Sequence, residues 1–266
     1  MADSKPVDMP SRVKRSTPFG TACFVGLRAA DVFVQYYLLK QGGAAKILSS
    51  LGLHTVAIAD TSYADILIGL AALGSAKQIV WVYGISEAEM PTGQAFQIGI
   101  ANTVFSSINA FLASWAVSSL ASSSPGLLRS DASAVQQLSS SPILAGAVIV
   151  SVLGILVETV SELQRKSFKS DPKNNGKPYS GGLFSLARHI NYGGYALWRP
   201  ANALAAGGVA AAIPTFAFFS YNFVANSIPG LDRVSVFTIN LVHLANTLLS
   251  IAVRDTERAG GKSKIK

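Results

Sequence analysis

The sequence has a single cysteine, Cys23, set within an apolar segment; this excludes an intramolecular disulfide framework and gives no sign of redox chemistry. Charge is scarce as well. Asp, Glu, Lys and Arg make up 14% of the 266 residues, against 50% hydrophobic residues, and the mean hydropathy is positive. A soluble domain carries charge along its whole chain, yet residues 90–128, 132–157 and 200–231 contain none. Histidines are few and far apart (His54, His189, His243), and none stands at ligand spacing with another or with cysteine, so no metal site is expected. Neither a Gly-x-Gly-x-x-Gly loop nor a Walker-type loop is present, which argues against a soluble dinucleotide domain. The basic segments lack interleaved aromatics, and nucleic acid is not an expected partner.

What remains is a set of long apolar runs, each able to hold the roughly 20 residues that cross a bilayer. Six spans are expected: residues 19–39, 66–85, 98–121, 143–157, a segment within 201–224, and 234–253. The first contains Arg28 and Asp31, three residues apart and placed to pair on one helix face. Lys77 interrupts the second, and is expected to snorkel or to face the bundle interior. Asn102, Ser106 and Asn109 form a polar stripe on the third, the pattern of a helix-to-helix contact. Residues 122–141, Ser-rich with Pro125 and Gly126, are expected to form an exposed loop in which Arg129 and Asp131 cancel. Pro142 suits the first turn of the fourth span, which runs into Glu158 and Gln164 with no stop signal and should project into water. Pro214 is expected to kink the fifth.

Net charge is +8, gathered in the N-terminal tail, the stretch after Glu162 and the C-terminal tail. Six crossings place all three on one side, the expected cytosolic side, since loops there collect Lys and Arg. The polar stretch ahead of the first apolar run predicts no cleavable signal, with the first span acting as its own insertion signal. The expected fold class is an all-α polytopic transmembrane helix bundle of about six spans, with five to seven allowed. Its expected divisions are a polar tail (1–18), N-terminal membrane helices (19–162), a cofactor-binding region with a membrane helix (163–232), and a hydrophobic helix with a basic tail (233–266).

Polar, charged and turn residues are densest between Glu158 and Tyr192. Glu158, Glu162, Arg165 and Lys169 recur at spacings of four, three and four, so they share one helix face, with two cations placed to meet phosphate. Asp171-Pro-Lys-Asn174-Asn-Gly176 is turn chemistry, and Gly181-Gly182 permits close backbone approach to a ligand. Arg188, His189, Asn191 and Tyr192 then supply donors, a ring and an amide. A basic loop after a spanning helix is also ordinary membrane topology, and composition alone does not separate the two readings.

The order of these residues resembles the C-terminal domain of the membrane-bound steroid 5-alpha-reductase family. Its relatives include sterol reductases and isoprenylcysteine carboxyl methyltransferases. Glu158, Glu162, Gln164, Arg165, Phe168, Lys169, Asn174, Gly176, Lys177, Gly182, Leu183, Phe184, Arg188, His189, Asn191 and Tyr192 stand in the family's order and spacing. Four places depart from it: Glu162 replaces Asp, Ile190 replaces Pro, Gly194-Tyr195 replaces Gly-Glu, and a hydrophobic 20-mer follows Asp232 where the family has a polar aromatic segment.

The resemblance implies membrane helices, in the endoplasmic reticulum with both termini cytosolic, whose cytosolic face holds NADPH. Hydride would pass to a carbon–carbon double bond of a steroid, sterol or other lipid-like substrate, with the cofactor supplying the hydride. By the same resemblance Arg165 and Lys169 would meet the cofactor's phosphates, while Asn174, Arg188, His189, Asn191 and Tyr192 would line the rest of the site. The proton donor is unassigned; Tyr36, Tyr37, Tyr83 and Tyr221 are unranked candidates for a donor inside the bundle. Two other readings stay open. One is an S-adenosylmethionine-dependent lipid or prenylcysteine methyltransferase, and the other a non-catalytic protein that keeps the fold. Oligomeric state is not expressed in the sequence.

Overall fold

The computed structural model describes residues 16–227 of the chain. Eight α-helices are found among them: α1 (Pro18–Leu39), α2 (Gly43–Ser50), α3 (Ser62–Val80), α4 (Thr92–Ser114), α5 (Leu120–Ser123), α6 (Ala134–Ser140), α7 (Pro142–Ser170) and α8 (Ile190–Asn222). No β-strand occurs among the described residues; a lone bridge pairs Thr55 with Trp115. Five helices are long and apolar enough to cross a bilayer: α1, α3 with its π-helical extension Trp81–Ile85, α4, α7 and α8. The chain is therefore an all-α polytopic helix bundle. The expected span at residues 234–253 lies outside the described residues. The chain divides into two compact units, with the boundary between Ala217 and Phe218. The second, Phe218–Lys266, shows among its described residues an edge-on ring pair, Phe218–Phe219, and the π-helical turn Phe223–Ser227.

Within the first unit, α1 packs on α3 and α4, and α7 on α3. Leu38, Tyr63, Leu67, Leu144, Ala147 and Ala205 belong to one buried cluster that ties these helices together. Loop contacts show which helix ends share a side. Thr55 pairs with Trp115, and Ser62 Oγ donates to the Ala132 carbonyl at 2.9 Å, which groups the α2 connection with the α4–α7 connection. At the other end, Met90 N–H donates to Thr17 Oγ1 at 3.0 Å, and Lys166 Nζ donates to the Gly84 carbonyl. Successive spans thus run in alternating directions, as polytopic packing demands.

α7 starts as the sequence predicts, with Pro142 in its first turn and Ser141 Oγ accepting from Leu144 N–H. It also runs on past residue 157, for 29 residues in all, until the residue before Pro172 is driven out of the helical region: Asp171 sits at φ −81°, ψ 120°. Other boundaries differ from expectation. α4 occupies Thr92–Ser114 instead of 98–121. Its end is set at Trp115, where Val56 N–H donates to Ser114 (3.0 Å) and Ala116 N–H to His54 (2.9 Å); backbone pairing with the α2 connection replaces further helix.

The stretch 122–141 is not a uniformly exposed loop. It contains α6, closed by a Ser133–Gln136 capping box, and it buries Leu127 and Gln137. The Gln137 amide donates to the Leu127 and Arg129 carbonyls at 3.3 and 3.2 Å, so one polar side chain satisfies the turn from inside. Arg129 and Asp131 do pair, in the open, and the hydrogen bond from Arg129 holds the Asp131 carboxyl below its usual range.

α8 begins at Ile190, ahead of the predicted residue 201, and its break falls at Gly207–Gly208 rather than at Pro214. Gly208 has φ 65° and ψ −161°, a conformation that essentially requires glycine. A break releases carbonyls that have no water to turn to inside a membrane. Here the Tyr63 hydroxyl, on α3, donates to the carbonyls of Ala205 (2.8 Å) and Ala206 (3.1 Å). One hydroxyl hydrogen from a neighbouring span, shared between the two carbonyls, thus offsets part of the lost helical bonding.

Candidate functional site

The region 158–192 folds as the end of α7, a loop with short 3-10 turns, and the start of α8. Its base is a close helix crossing. A Cβ on Gly194 would lie 2.7 Å from both the Glu158 amide nitrogen and the Gly154 carbonyl oxygen, and one on Gly154 would meet the Gly194 carbonyl oxygen at 2.8 Å. Two glycines therefore let α7 and α8 touch backbone to backbone. Just beside this contact Glu158 is buried. It accepts from Lys77 Nζ on α3 and from Trp198 Nε1 on α8 at 2.8 Å, which joins three spans through one carboxylate. Lys77 thus faces the interior, one of the two placements predicted for it.

One turn further along α7, buried Glu162 accepts from the Asn191 amide at 3.3 Å. Gln164 Oε1 accepts from Leu183 N–H at 2.9 Å, which pins the returning loop to α7. Phe168, Tyr179 and Phe184 contact one another in series, the first pair tilted at 36° and the second edge-on at 66°, with ring centroids 5.0 and 5.7 Å apart, and brace the loop's apolar side. At the head of α8 the His189 carbonyl accepts from the N–H groups of Tyr192 (3.0 Å) and Gly193 (3.1 Å), and the two rings, His189 and Tyr192, stack at 5.8 Å and 13°.

The seven residues expected to hold a cofactor are distributed as follows. Arg165 is half-buried on α7, close enough for its charge to act on Tyr192. Arg165, His189, Asn191 and Tyr192 thus come together at the α7–α8 junction. Asn191 is buried, its amide turned to Glu162. Asn174 sits at the far end of the loop, where its amide donates to the Phe168 carbonyl at 3.0 Å and so caps the last turn of α7. Lys169, in that last turn, and Arg188, before α8, are exposed. The predicted helix face grades from buried acids (Glu158, Glu162) through half-buried Arg165 to exposed Lys169. A stacked ring pair with cations nearby suits what NADPH and S-adenosylmethionine have in common, an adenine ring joined to an anionic group, phosphate in one and carboxylate in the other.

The tyrosines proposed as interior donors are not inside: Tyr36, Tyr37, Tyr83 and Tyr221 are 48%, 50%, 65% and 72% exposed. An apolar ring with a hydroxyl is well suited to the outside of a membrane bundle, which is why their presence in spans carried no information on burial. The interior polar groups are others. Arg28 Nη2 donates to Asp31 (2.9 Å) and Ser75 (2.7 Å), Gln35 Nε2 donates to Asp31 (3.0 Å) and Ser107 (3.3 Å), and Ser151 Oγ donates to Asn202 Oδ1 (2.8 Å). Arg199 lies 4.3 Å from the Trp198 ring centre and bonds the Tyr195 hydroxyl oxygen at 3.0 Å. Arg199 lay just outside the fifth span expected within residues 201–224, whereas α8 begins at Ile190. A charged residue inside a span is a functional candidate by default, and that rule would have selected it.

Residues 47–229 match the family described as "Protein of unknown function (DUF1295)". A protein of Ustilaginoidea virens named "Probable O-methyltransferase ustE" is 32% identical, over 88% of this chain and 87% of its own. No solved structure matches the chain. With the family's pattern extending from α2 through the kinked α8 and taking in the whole α7–α8 junction, this chain belongs to the DUF1295 family.

Proposed function

We propose that this protein is a membrane-embedded O-methyltransferase that uses S-adenosylmethionine to methylate an oxygen of a lipid-like acceptor. The observation that carries this reading is the likeness to the probable O-methyltransferase, which extends over most of both chains. The cofactor supplies an electrophilic methyl group, and the protein's part is to hold and orient it. In this reading the His189–Tyr192 stack takes the adenine, and Arg165, with exposed Lys169 and Arg188, draws in the anionic end. The buried Glu162–Asn191 and Glu158–Lys77–Trp198 contacts keep the two helices in register beneath it.

A second reading, NADPH-dependent reduction of a carbon–carbon double bond, is favoured by one observation: the steroid 5-alpha-reductase-like order of residues from Glu158 to Tyr192, with its clustered cations. The two are told apart by titrating the purified chain in detergent with each cofactor. The methyltransferase reading expects saturable S-adenosylmethionine binding, weakened at least about tenfold by Arg165→Ala, since a charge-assisted contact is worth roughly 1.5–3 kcal/mol. Saturable NADPH binding without S-adenosylmethionine binding would move the assignment to the reductase, and binding of neither would remove both.

A further inference from the structure

Between α1, α3, α4 and α8 lies a cavity of about 30 Å³, away from the loop just described. Its lining combines polar residues, among them Arg28, Gln35, Asn109, Arg199 and Asn202, with apolar ones such as Leu67 and Leu70. Arg28 and Gln35 are 2% and 1% exposed. Both hold Asp31, which fixes Arg28 Nη2 and the Gln35 amide nitrogen. Their remaining polar atoms are unmatched: Arg28 Nε and Nη1 and Gln35 Oε1 have no hydrogen-bond partner among the described residues. Leaving such atoms bare in an apolar interior costs about 1–3 kcal/mol each, more for a charged group. Asp31 and a second cation, Arg199, are among the groups whose charge acts on Arg28.

A buried cavity lined by Arg28, whose two unmatched N–H groups are donors, is complementary to a small acidic group. The volume decides the size. A water molecule takes up about 30 Å³ of liquid, though only about 10–15 Å³ by the tighter measure that applies to a cavity like this one. A headgroup of about three heavy atoms fits, whereas a nucleotide does not.

We propose that this cavity is a binding site for a single carboxylate-sized anionic group, seated on the unmatched N–H groups of Arg28 with the Asn109 amide beside it. The source is either the head of an amphiphile whose tail lies outside the cavity or a small free carboxylate. The site stands independently of the methyl-transfer reading, because it needs neither cofactor.

The test uses the full chain in detergent, without cofactor, and three probes: decanoate, acetate and uncharged decanol. Radiolabelled binding and the thermal midpoint are read together. Decanoate is expected to bind saturably and raise the midpoint, and decanol is not. Asn109→Leu, which fills the cavity and leaves the Arg28–Asp31 pair intact, is expected to weaken decanoate at least tenfold, as is Arg28→Met combined with Asp31→Asn. Acetate that competes with decanoate identifies a small-anion site; acetate that does not identifies an amphiphile site, and both results support the proposal. It is overturned if neither carboxylate binds, if decanol binds as well as decanoate, or if Asn109→Leu binds decanoate like the wild type. S-adenosylmethionine titration of the same samples reports separately on the proposed reaction.

Discussion

Lys77 and Glu158 show what one residue pair does in this molecule. Each is more than 90% buried, and the carboxylate also takes the Trp198 indole hydrogen. A buried pair gains little over an apolar pair of the same shape, but breaking it strands a charge at a cost of about 3–5 kcal/mol. Lys77→Met alone is expected to lose about that much stability, read by thermal unfolding in detergent. Lys77→Met combined with Glu158→Gln should recover most of it, because no charge is then left bare. A double variant as unstable as the single one would show that Lys77 acts by something other than its charge. Such pairing is only half legible beforehand. Arg28 and Asp31 stand three residues apart, so their contact could be read from spacing. Lys77 and Glu158 are joined only by tertiary packing, and no local pattern records that.

At the scale of elements, the α7–α8 crossing depends on two residues without side chains. A methyl group at position 194 would press on backbone atoms, which cannot swing aside as a flexible side chain can. Gly194→Ala is expected to cost about 1–3 kcal/mol through overpacking, and to weaken cofactor binding together with stability; Gly193→Ala, where a Cβ meets open space, should do neither. Comparison of midpoints and titrations for the two neighbours checks this. The helices themselves were readable where hydropathy runs unbroken and a proline marks the start, as at Pro142. They were misread where tertiary contacts set the boundary: Trp115 is drawn into pairing with Thr55, and α8 continues back through Trp198 and Arg199 because both are buried by neighbouring spans. The site segment stood out because it gathers polar residues in a recognisable order. Its interior counterpart did not, since Arg28, Gln35, Asn109 and Arg199 are scattered over three helices and meet only in space.

For the whole molecule, loop contacts and charge together define a topology that can be checked. The connections after α3 and after α7 share one side, and those containing Ala132 and Thr55 share the other. In a Cys23→Ser background, cysteines placed at Lys173 and at Ser130 should react with a membrane-impermeant thiol reagent from opposite faces of sealed vesicles, with Lys173 on the cytosolic side. Labelling of both from one face would contradict the alternating order of spans.

The length of α7 has a consequence for how such a protein meets its ligands. At 1.5 Å per residue its 29 residues extend about 43 Å, against a hydrocarbon layer of about 30 Å. Upright in the bilayer, about two and a half turns would stand clear of the lipid, and the 171–189 loop would be carried with them. A water-borne cofactor and an oily acceptor would then arrive through different phases, one counted per volume of solution and the other per area of membrane. Diluting the bilayer with inert lipid changes the supply of the second and leaves the first untouched.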